Sequence, residues 1–296
     1  MAKRQTYQRR KLFSVLFLAI GLLVTGFSVD LFAQSGSDTI PADQLEWTTE
    51  KLAKGIYWKS YLGGDLYDSR QSINIIEIKL DRAAVDFRLA WNKDGMMKTS
   101  DFAVEHRALA AINGSFYGEQ GESIVFMKSD GEVISPGAVA SNPFTERGGF
   151  GWDDSGVPII LPKPEDGWNS VPHENLLSSG PLLIYDNEQQ TFNNDPFHQN
   201  RHPRTAIALT DDNRLLLVTV DGRSFQSYGM TIPELSRFLS ELGAKHALNF
   251  DGGGSTAMWI RDQKGNGIVN YPSDNFEFDH AGERPVSNAI IIKEKD

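Results

Sequence analysis

The sequence AKHALNFDGGGST, residues 244–256, joins an apolar run to a carboxylate, three glycines and two hydroxyls. Ala247, Leu248 and Phe250 predict a buried strand, with Asp251 at or near its end. The glycines let backbone N–H groups approach a ligand because no Cβ intervenes, and successive N–H groups form a nest that binds anions. The segment predicts an acid or base beside an anion-binding loop, although a tight turn closed by an Asx hydrogen bond also fits the pattern.

Two better-known motifs are close to this segment but do not match it. A phosphate-binding P-loop needs a lysine before the hydroxyl residue, and no lysine precedes Ser255. A nucleophile elbow leads from its serine into a helix, whereas the apolar runs 258–260 and 268–271, on either side of a turn at 262–267, predict a β-hairpin. Ser255 is therefore predicted to be a hydrogen-bond donor and not a nucleophile.

The composition excludes several classes of function. The 296 residues carry a net charge of −10. Such an acidic chain does not favour nucleic acid binding, which needs clustered Lys and Arg, whereas a small anionic substrate needs only local positive groups. The chain has no cysteine, so disulfides, thiolate metal sites and cysteine nucleophiles are excluded.

Residues 1–33 are predicted to direct export. The first 11 residues include five basic side chains, counting Lys11, and no acid, and an apolar run follows from residue 12. Cleavage after Ala33 would make this a signal peptide, whereas the run 12–29 is close to the ~20 residues that span a bilayer and could anchor the protein in a membrane. In both cases the body is expected to be periplasmic, extracellular or membrane-anchored facing outward.

The remainder is predicted to be a linker, residues 34–44, and one domain, residues 45–296. Most of the domain consists of short apolar runs separated by turn residues. The run 73–80 alternates, which predicts one buried face and one solvent-exposed face. The clearest helix covers 231–242, with Thr231 as N-cap and Glu234 as its capping-box partner. Many hairpins with few helices predict an α+β fold built mainly from antiparallel sheet.

The polar segment 192–201 is predicted to be a surface loop. His198 and His202 lie four residues apart, a spacing that on a helix could hold a metal ion. Pro196 and Pro203 argue against a helix, so both histidines are predicted to be solvated.

Polar side chains follow several apolar strands at the point where each strand ends. They are Asn113, Asp221, Asn249 and Asp251, and arginines lie at positions 204, 223 and 284. If these ends converge, carboxylates, amides, guanidinium groups and the glycine loop share one site. A carboxylate pair serves an oxocarbenium-like transition state and arginine binds phosphate in bidentate fashion, so the set suits a sugar joined to an anionic group.

Two alternatives remain at this point. Asn113-Gly114 is also a hairpin turn signal. Two carboxylates with backbone oxygens could hold Ca²⁺ or Mg²⁺, although no spacing typical of a metal site is present. We therefore expect no metal and no cofactor, with Ca²⁺ or Mg²⁺ as the weaker alternative.

The chain also resembles the phosphodiester glycosidase domain family, which is typified by uncovering enzymes. The resemblance rests on blocks that occur in the same order between about 110 and 290. These blocks are AINGSFY at 111–117, SGPLL at 179–183, PRTAI at 203–207, VDGR at 220–223, ALNFDGGGS at 247–255 and RPVSN at 284–288.

The resemblance implies cleavage of the bond between an anomeric carbon and phosphate in a sugar-1-phosphodiester. The matching motifs imply Asp251 as acid/base or nucleophile, Asp221 as its partner and Arg204 as a phosphate clamp. They place in or near the pocket Asn113, Gly114, Thr205, Arg223, Asn249, Gly252, Gly253, Gly254, Ser255, Glu283 and Arg284. Arg223 and Ala208 depart from the common family pattern, which leaves the leaving group open.

An exported member of this family is expected to act on envelope or exopolysaccharide glycans, with a phosphodiester-linked sugar as its partner. A non-catalytic glycan-binding or exopolysaccharide-assembly protein that reuses the pocket is one alternative. A metal-dependent phosphodiesterase, which would cut the phosphorus–oxygen bond, is the other.

Overall fold

The computed structural model of the protein describes residues 40–137 and 146–295. The predicted export segment and the first part of the predicted linker lie outside the described residues. The α-helices of the described residues are α1 Thr99–Glu105, α2 Pro196–Gln199 and α3 Ile232–Glu241. The strands are β1 Thr48–Ala53, β2 Ile56–Leu66, β3 Ser69–Lys79, β4 Val85–Trp91, β5 Met97–Lys98, β6 Ala110–Asn113, β7 Phe126–Ser129, β8 Glu132–Pro136, β9 Gly148–Trp152, β10 Pro158–Pro162, β11 Asn175–Ser179, β12 Leu182–Tyr185, β13 Glu188–Gln189, β14 Arg204–Thr210, β15 Arg214–Val220, β16 Ala244–Asn249, β17 Met258–Ile260, β18 Pro285–Val286 and β19 Asn288–Glu294.

The centre of the fold is an eight-stranded sheet in the order β1-β2-β3-β15-β14-β16-β12-β13. A five-stranded sheet, β10-β9-β11-β7-β8, and a four-stranded sheet, β17-β6-β19-β4, pack against it. The strand pairs are antiparallel. The predicted α+β class with mainly antiparallel sheet is confirmed.

Both faces of β3 are buried from Gln71 to Ile78, so the solvent-exposed face predicted for residues 73–80 is wrong. Ile73 and Ile75 pack in the core cluster that includes α3, whereas Ile76 and Ile78 pack in the cluster shared with the smaller sheets. The misleading polar residue is Glu77, which is buried and forms ion pairs with Lys59 and Arg214 at 2.7 and 3.1 Å. A buried carboxylate that is paired looks like a surface residue in the sequence.

Helix α3 begins as its sequence predicts. The Thr231 hydroxyl accepts from the Glu234 N–H at 3.1 Å, and the Glu234 carboxylate accepts from the Thr231 N–H at 2.9 Å. These reciprocal bonds satisfy two backbone donors that the helix itself leaves unpaired. Leu235, Phe238 and Leu239 then cover one face of the large sheet.

The segments beside the GGG loop also resolve the turn alternatives. Residues 258–269 form the predicted hairpin, in which the Val269 N–H donates to the Met258 carbonyl at 2.9 Å. Asn113 and Gly114 do not form a hairpin, because β6 pairs with β17 and β19 and the Gly114 N–H donates to the Asn288 carbonyl.

The last residues of the predicted linker pack on the domain. Ala42 is buried, and its N–H donates to the Glu241 carboxylate at 2.9 Å. Among the described residues no helix is long and apolar enough to cross a membrane.

The antiparallel order of three central strands positions the site. Strand β14 runs opposite to both of its neighbours, so its first residue lies beside their last residues. Arg204 of β14 pairs with Val220 of β15, and Ala206 pairs with Asn249 of β16. The arginine at 204 and the loops after Val220 and Asn249 therefore meet at one end of the sheet.

Candidate active site

A cleft of about 270 Å³ opens at this end of the sheet. Its walls combine one carboxyl group, a glycine loop, three guanidinium groups, a histidine and an aromatic ring. The lining residues are Phe197, His202, Arg204, Arg223, Asp251, Gly252, Gly253, Gly254 and Arg284.

The backbone of Asp251 is fixed by Asn113 and Gly114. The Asn113 side-chain amide donates to the Asp251 carbonyl at 2.7 Å, and the Asp251 N–H donates to the Gly114 carbonyl at 3.2 Å. The Asn113 side-chain oxygen accepts from the Thr205 hydroxyl at 2.8 Å and from the Ala257 N–H at 3.1 Å. Asn113 and Thr205 are fully buried, so they hold the loop and do not line the cleft.

The carboxyl group of Asp251 is held in an environment that disfavours its charge. Burial raises the pKa of Asp251 to about 6, although hydrogen bonds from Ser255 and Gly252 and the charges of Arg284 and Arg223 act in the opposite direction. A carboxyl group that titrates near neutral pH is suited to proton transfer or to nucleophilic attack.

The glycine loop packs so closely against neighbouring residues that it leaves no room for side chains at Gly252 and Gly253. A Cβ on Gly252 would lie 2.6 Å from the Pro203 carbonyl oxygen, and Gly253 has a φ of 59° with the Arg223 guanidinium 2.8 Å from the position of its Cβ. The N–H of Gly254 donates to no acceptor among the described residues. Because Gly254 lines the cleft, that N–H can donate to a ligand there.

Arg204 is a buried positive charge surrounded by backbone carbonyls. Its side chain is 2% exposed and donates to the backbone carbonyls of Met230, Phe197 and Asn200 at 2.9, 2.7 and 3.1 Å. No carboxylate among the described residues lies within ion-pair distance of it. Burial, together with the charge of Arg223, lowers the pKa of Arg204 to about 9, which still leaves it charged at neutral pH. An unpaired buried charge is costly, and a bound anion would offset that cost.

The other two arginines differ in their partners. Arg284 donates to both carboxylate oxygens of Asp274 at 2.6 Å, and this pairing raises the pKa of Arg284. Arg223 is exposed and makes no hydrogen bond or ion pair with any described residue. Arg223 is therefore the guanidinium most readily offered to a ligand.

Asp221 does not line the cleft, although the sequence predicts it as the partner of Asp251. It is buried, and its carboxylate accepts from the Ser72 hydroxyl at 2.7 Å, from the Asn270 amide at 2.9 Å and from the Tyr271 N–H at 2.8 Å. Burial raises the pKa of Asp221. Its placement supports a structural role, in which it joins β3 to the loops after β15 and β17.

Three other predicted site residues are also buried and do not line the cleft. The Asn249 amide donates to the carbonyls of Gly180 and Phe250. The Ser255 hydroxyl lies 3.1 Å from that of Tyr117 and also forms a hydrogen bond with the Asp251 carboxyl group. The Glu283 carboxylate accepts from the N–H and the hydroxyl of Ser100 at 2.7 and 2.6 Å, at the first turn of α1. These side chains shape the surrounding loops, and none is among the residues of the cleft wall.

Two residues of the cleft, Phe197 and His202, were not predicted from the sequence as site residues. The loop predicted for 192–201 contains α2, and His198 is 2% exposed with Nδ1 2.8 Å from the Asp195 carboxylate. The prediction of a solvated His198 is therefore wrong. The missed signal was Asp195-Pro196, an N-cap followed by proline at the first helical position. Helix α2 brings Phe197 to within 5.1 Å of the Arg204 guanidinium.

His202 lines the cleft beside two arginines. It is half-buried, and burial together with the charges of Arg204 and Arg223 lowers its pKa. A neutral imidazole at physiological pH can accept or donate one hydrogen bond. Within the described part of the chain, no group of three or more His, Asp or Glu side chains is arranged to hold a metal ion.

The fold and the cleft together define an α+β protein with a carboxyl group of raised pKa beside a glycine loop and three arginines. Residues 106–293 match the sequence profile of the phosphodiester glycosidase family. The chain belongs to this family, as its motifs predict.

Two curated relatives align with about two thirds of the chain. N-acetylglucosamine-1-phosphodiester alpha-N-acetylglucosaminidase of Mus musculus is 29% identical over 211 residues, which are 66% of this chain and 39% of that protein. The uncharacterized SPbeta prophage-derived protein YomE of Bacillus subtilis is 29% identical over 199 residues, which are 66% of this chain and 29% of that protein. The chain thus spans well under half the length of both relatives.

Solved structures share the fold at lower identity. The zebrafish N-acetylglucosamine-1-phosphodiester alpha-N-acetylglucosaminidase catalytic domain, described as auto-inhibited by its pro-peptide, aligns with a TM-score of 0.64 and 21% identity over 84% of this chain and 88% of that one. A putative exported protein from Burkholderia pseudomallei aligns with a TM-score of 0.58 and 16% identity over 78% of this chain and 75% of that one.

The placement of Asp221 predicts unequal effects of two substitutions. Asp221→Asn keeps the shape of the side chain and its acceptor oxygen, so the free energy of unfolding should change by less than about 1 kcal/mol. Asp221→Ala leaves three donors without an acceptor and should lower the free energy of unfolding by about 2–4 kcal/mol. Urea denaturation measures both values. An Asp221→Asn variant that is folded but inactive would instead support the catalytic partnership predicted from the sequence.

Proposed function

We propose that the protein is an exported glycosidase that hydrolyses the sugar–phosphate bond of a sugar-1-phosphodiester, on envelope or exopolysaccharide glycans. One observation carries the proposal. One cleft places Asp251, whose pKa is raised to about 6, beside a glycine loop and the guanidinium groups of Arg204 and Arg223, which pair with no carboxylate of the described residues. Membership of the phosphodiester glycosidase family supports it.

The arginines and the loop would hold the phosphodiester. A diester carries one negative charge, and the buried charge of Arg204 has no carboxylate partner among the described residues. Arg223 can donate two parallel hydrogen bonds to phosphate oxygens, the geometry that guanidinium groups favour. The N–H of Gly254 adds a donor that costs no side-chain ordering.

Asp251 would act as a carboxylate and not as an acid. Water adds its oxygen to the anomeric carbon, the bond from that carbon to the bridging oxygen breaks, and the phosphate monoester leaves with the bridging oxygen. The leaving phosphate carries its charge beside arginines, so it has little need of a proton from the enzyme. The developing positive charge on the sugar does need a carboxylate, either as base toward water or as nucleophile.

Replacement of Asp251 by Asn should abolish turnover of a sugar-1-phosphodiester, which is followed by release of the sugar. The matched control is Asp211→Asn at an exposed turn, which should leave turnover unchanged. Burial raises the pKa of Asp251 in the folded state, so ionisation of this group lowers the free energy of unfolding. This loss is complete above about pH 6 and absent below about pH 4, where the group is protonated in both the folded and the unfolded state. Asp251→Asn should therefore be at least as stable as the parent at pH 7, and lost activity cannot be attributed to unfolding.

The same reaction in isotopically labelled water identifies the bond that breaks. Cleavage between carbon and oxygen leaves the phosphate product without label. Label in the phosphate product, or turnover that stops with chelator, would contradict the proposal and indicate a metal-dependent phosphodiesterase. Retained turnover in Asp251→Asn would also contradict it.

The pH dependence of kcat/KM should show the ionisation of Asp251. Because the carboxylate is the active form, kcat/KM should rise with pH, with a midpoint near the Asp251 pKa of about 6, and then level off. Well below that midpoint it should fall about tenfold per pH unit. A profile that falls as pH rises through 6 would show that the protonated acid is the active form.

Replacement of Arg223 by Met should lower kcat/KM by about 10–100-fold, the effect of losing one charge-assisted contact with phosphate. Arg223→Lys should recover only part of the loss, because lysine restores the positive charge but not the paired donors of a guanidinium group. The control is Arg82→Met, at an exposed arginine beside Asp81. Steady-state kinetics at fixed ionic strength measures all three. Equal activity of Arg223→Met and the parent would remove Arg223 from the substrate site.

Export is proposed from the basic and apolar pattern of residues 1–33. Fractionation of producing cells followed by N-terminal sequencing distinguishes cleavage after Ala33 from a retained anchor at 12–29. Recovery of the intact chain in the cytoplasm would contradict export.

A further inference from the structure

A second groove, about 560 Å³ in volume, lies at the edge of the large sheet formed by β1, β2 and β3. It shares none of its lining residues with the cleft that contains Asp251. Its wall includes the aromatic side chains of Trp58, Tyr61 and Tyr271, together with hydroxyl and amide groups of the sheet. The proposed hydrolysis makes no use of this groove.

The floor of the groove belongs to a row of polar residues that crosses the sheet. Thr48 pairs with Ser60, Ser60 with Asn74, and Asn74 with Thr219, so these side chains share one face. The row two residues further along, at Ile76 and Leu217, is apolar core. Polar side chains thus interrupt an otherwise apolar face at the point where the groove opens.

Asn74 offers a donor that the fold leaves unused. It is 3% exposed, and its side-chain oxygen accepts from the Trp58 indole N–H at 3.0 Å. Because an indole can only donate, the atom facing it must be the oxygen. The NH₂ group therefore points elsewhere, and no hydrogen bond to any described residue uses it. Asn74 lines the groove, so this NH₂ group can donate to a ligand there.

One hydroxyl group of the groove wall is also without a partner in the described part of the chain. No described residue bonds to the hydroxyl of Ser60, which lines the groove.

The charges of the groove exclude the ligand class proposed for the cleft. Its charged lining residues, Glu46 and Lys264, have opposite signs, whereas the cleft carries three arginines. A phosphate group would find no cluster of cations here. Neutral donors and acceptors beside a partly exposed indole match an uncharged saccharide, whose rings stack on aromatic faces and whose hydroxyls both donate and accept.

We propose that this groove is a second binding site, separate from the site of hydrolysis, and that it holds an uncharged stretch of glycan against Trp58 with Asn74 as a hydrogen-bond donor. Such a site would keep the protein on a polysaccharide while the cleft acts on its phosphodiester. The binding does not depend on catalysis, so it can be tested even if the proposed reaction is wrong.

The test is binding of the purified protein and of Asp251→Asn to an array of uncharged oligosaccharides of glucose, mannose and N-acetylglucosamine. Both proteins should bind at least one of them. Leu62→Arg, at an exposed position on the groove wall, should weaken that binding by at least about tenfold through blockage. Ser60→Arg gives the same test on the floor of the groove.

The matched control is Val133→Arg, which places the same side chain at an exposed position of β8 and should leave binding unchanged. Far-UV circular dichroism and thermal unfolding show whether each variant is folded. Binding to none of the oligosaccharides, equal binding by Leu62→Arg and the parent, or loss of binding in Asp251→Asn would overturn the proposal.

Discussion

The cleft depends on one buried amide, the side chain of Asn113. Its four hydrogen-bonding contacts reach β14, the turn after β6, the carbonyl of Asp251 and the strand entry at Ala257. Thr205 lies in β14 of the large sheet and Asp251 follows β16 of the same sheet, whereas Asn113 lies in β6 of the four-stranded sheet. Three of these contacts are buried and the one to Asp251 is partly buried, so removal of the amide would leave several polar groups unsatisfied at once. The position of the carboxyl group is thus set by packing between sheets.

An electrostatic imbalance then gives the cleft its chemistry. Arg204 is buried among backbone carbonyls with no carboxylate partner in the described structure, and Arg223 is likewise unpaired. Burial raises the pKa of Asp251 even though arginines lie nearby. A negative charge at one end of a substrate would pair with the arginines. A positive charge that develops at its other end during reaction would stabilise the carboxylate of Asp251. Charged groups that destabilise the fold and gather in one cleft are typical of a functional site.

The sequence predicted elements with local causes and missed features with distant ones. The capping box at Thr231 and Glu234 and the strand before Asp251 depend on neighbouring residues, and both formed as expected. The exposed face predicted for residues 73–80 failed because Glu77 is paired by arginine and lysine from other strands. The loop predicted at 192–201 failed because Pro196 does not act as a helix breaker, since after the N-cap Asp195 it occupies the first helical position of α2.

By itself the sequence determined the family, the α+β class and the residue types of the site, because these follow from ordered motifs, hydrophobic periodicity and turn chemistry. Only the tertiary structure decided which of those residues face the cleft. Asp221 and Asp251 both follow apolar strands, yet the first is turned into a network of buried donors and the second toward the arginines. The physical reason is that a side chain at a strand end is directed by whichever donors, carbonyls and charges other segments bring to it, and no local pattern encodes those partners.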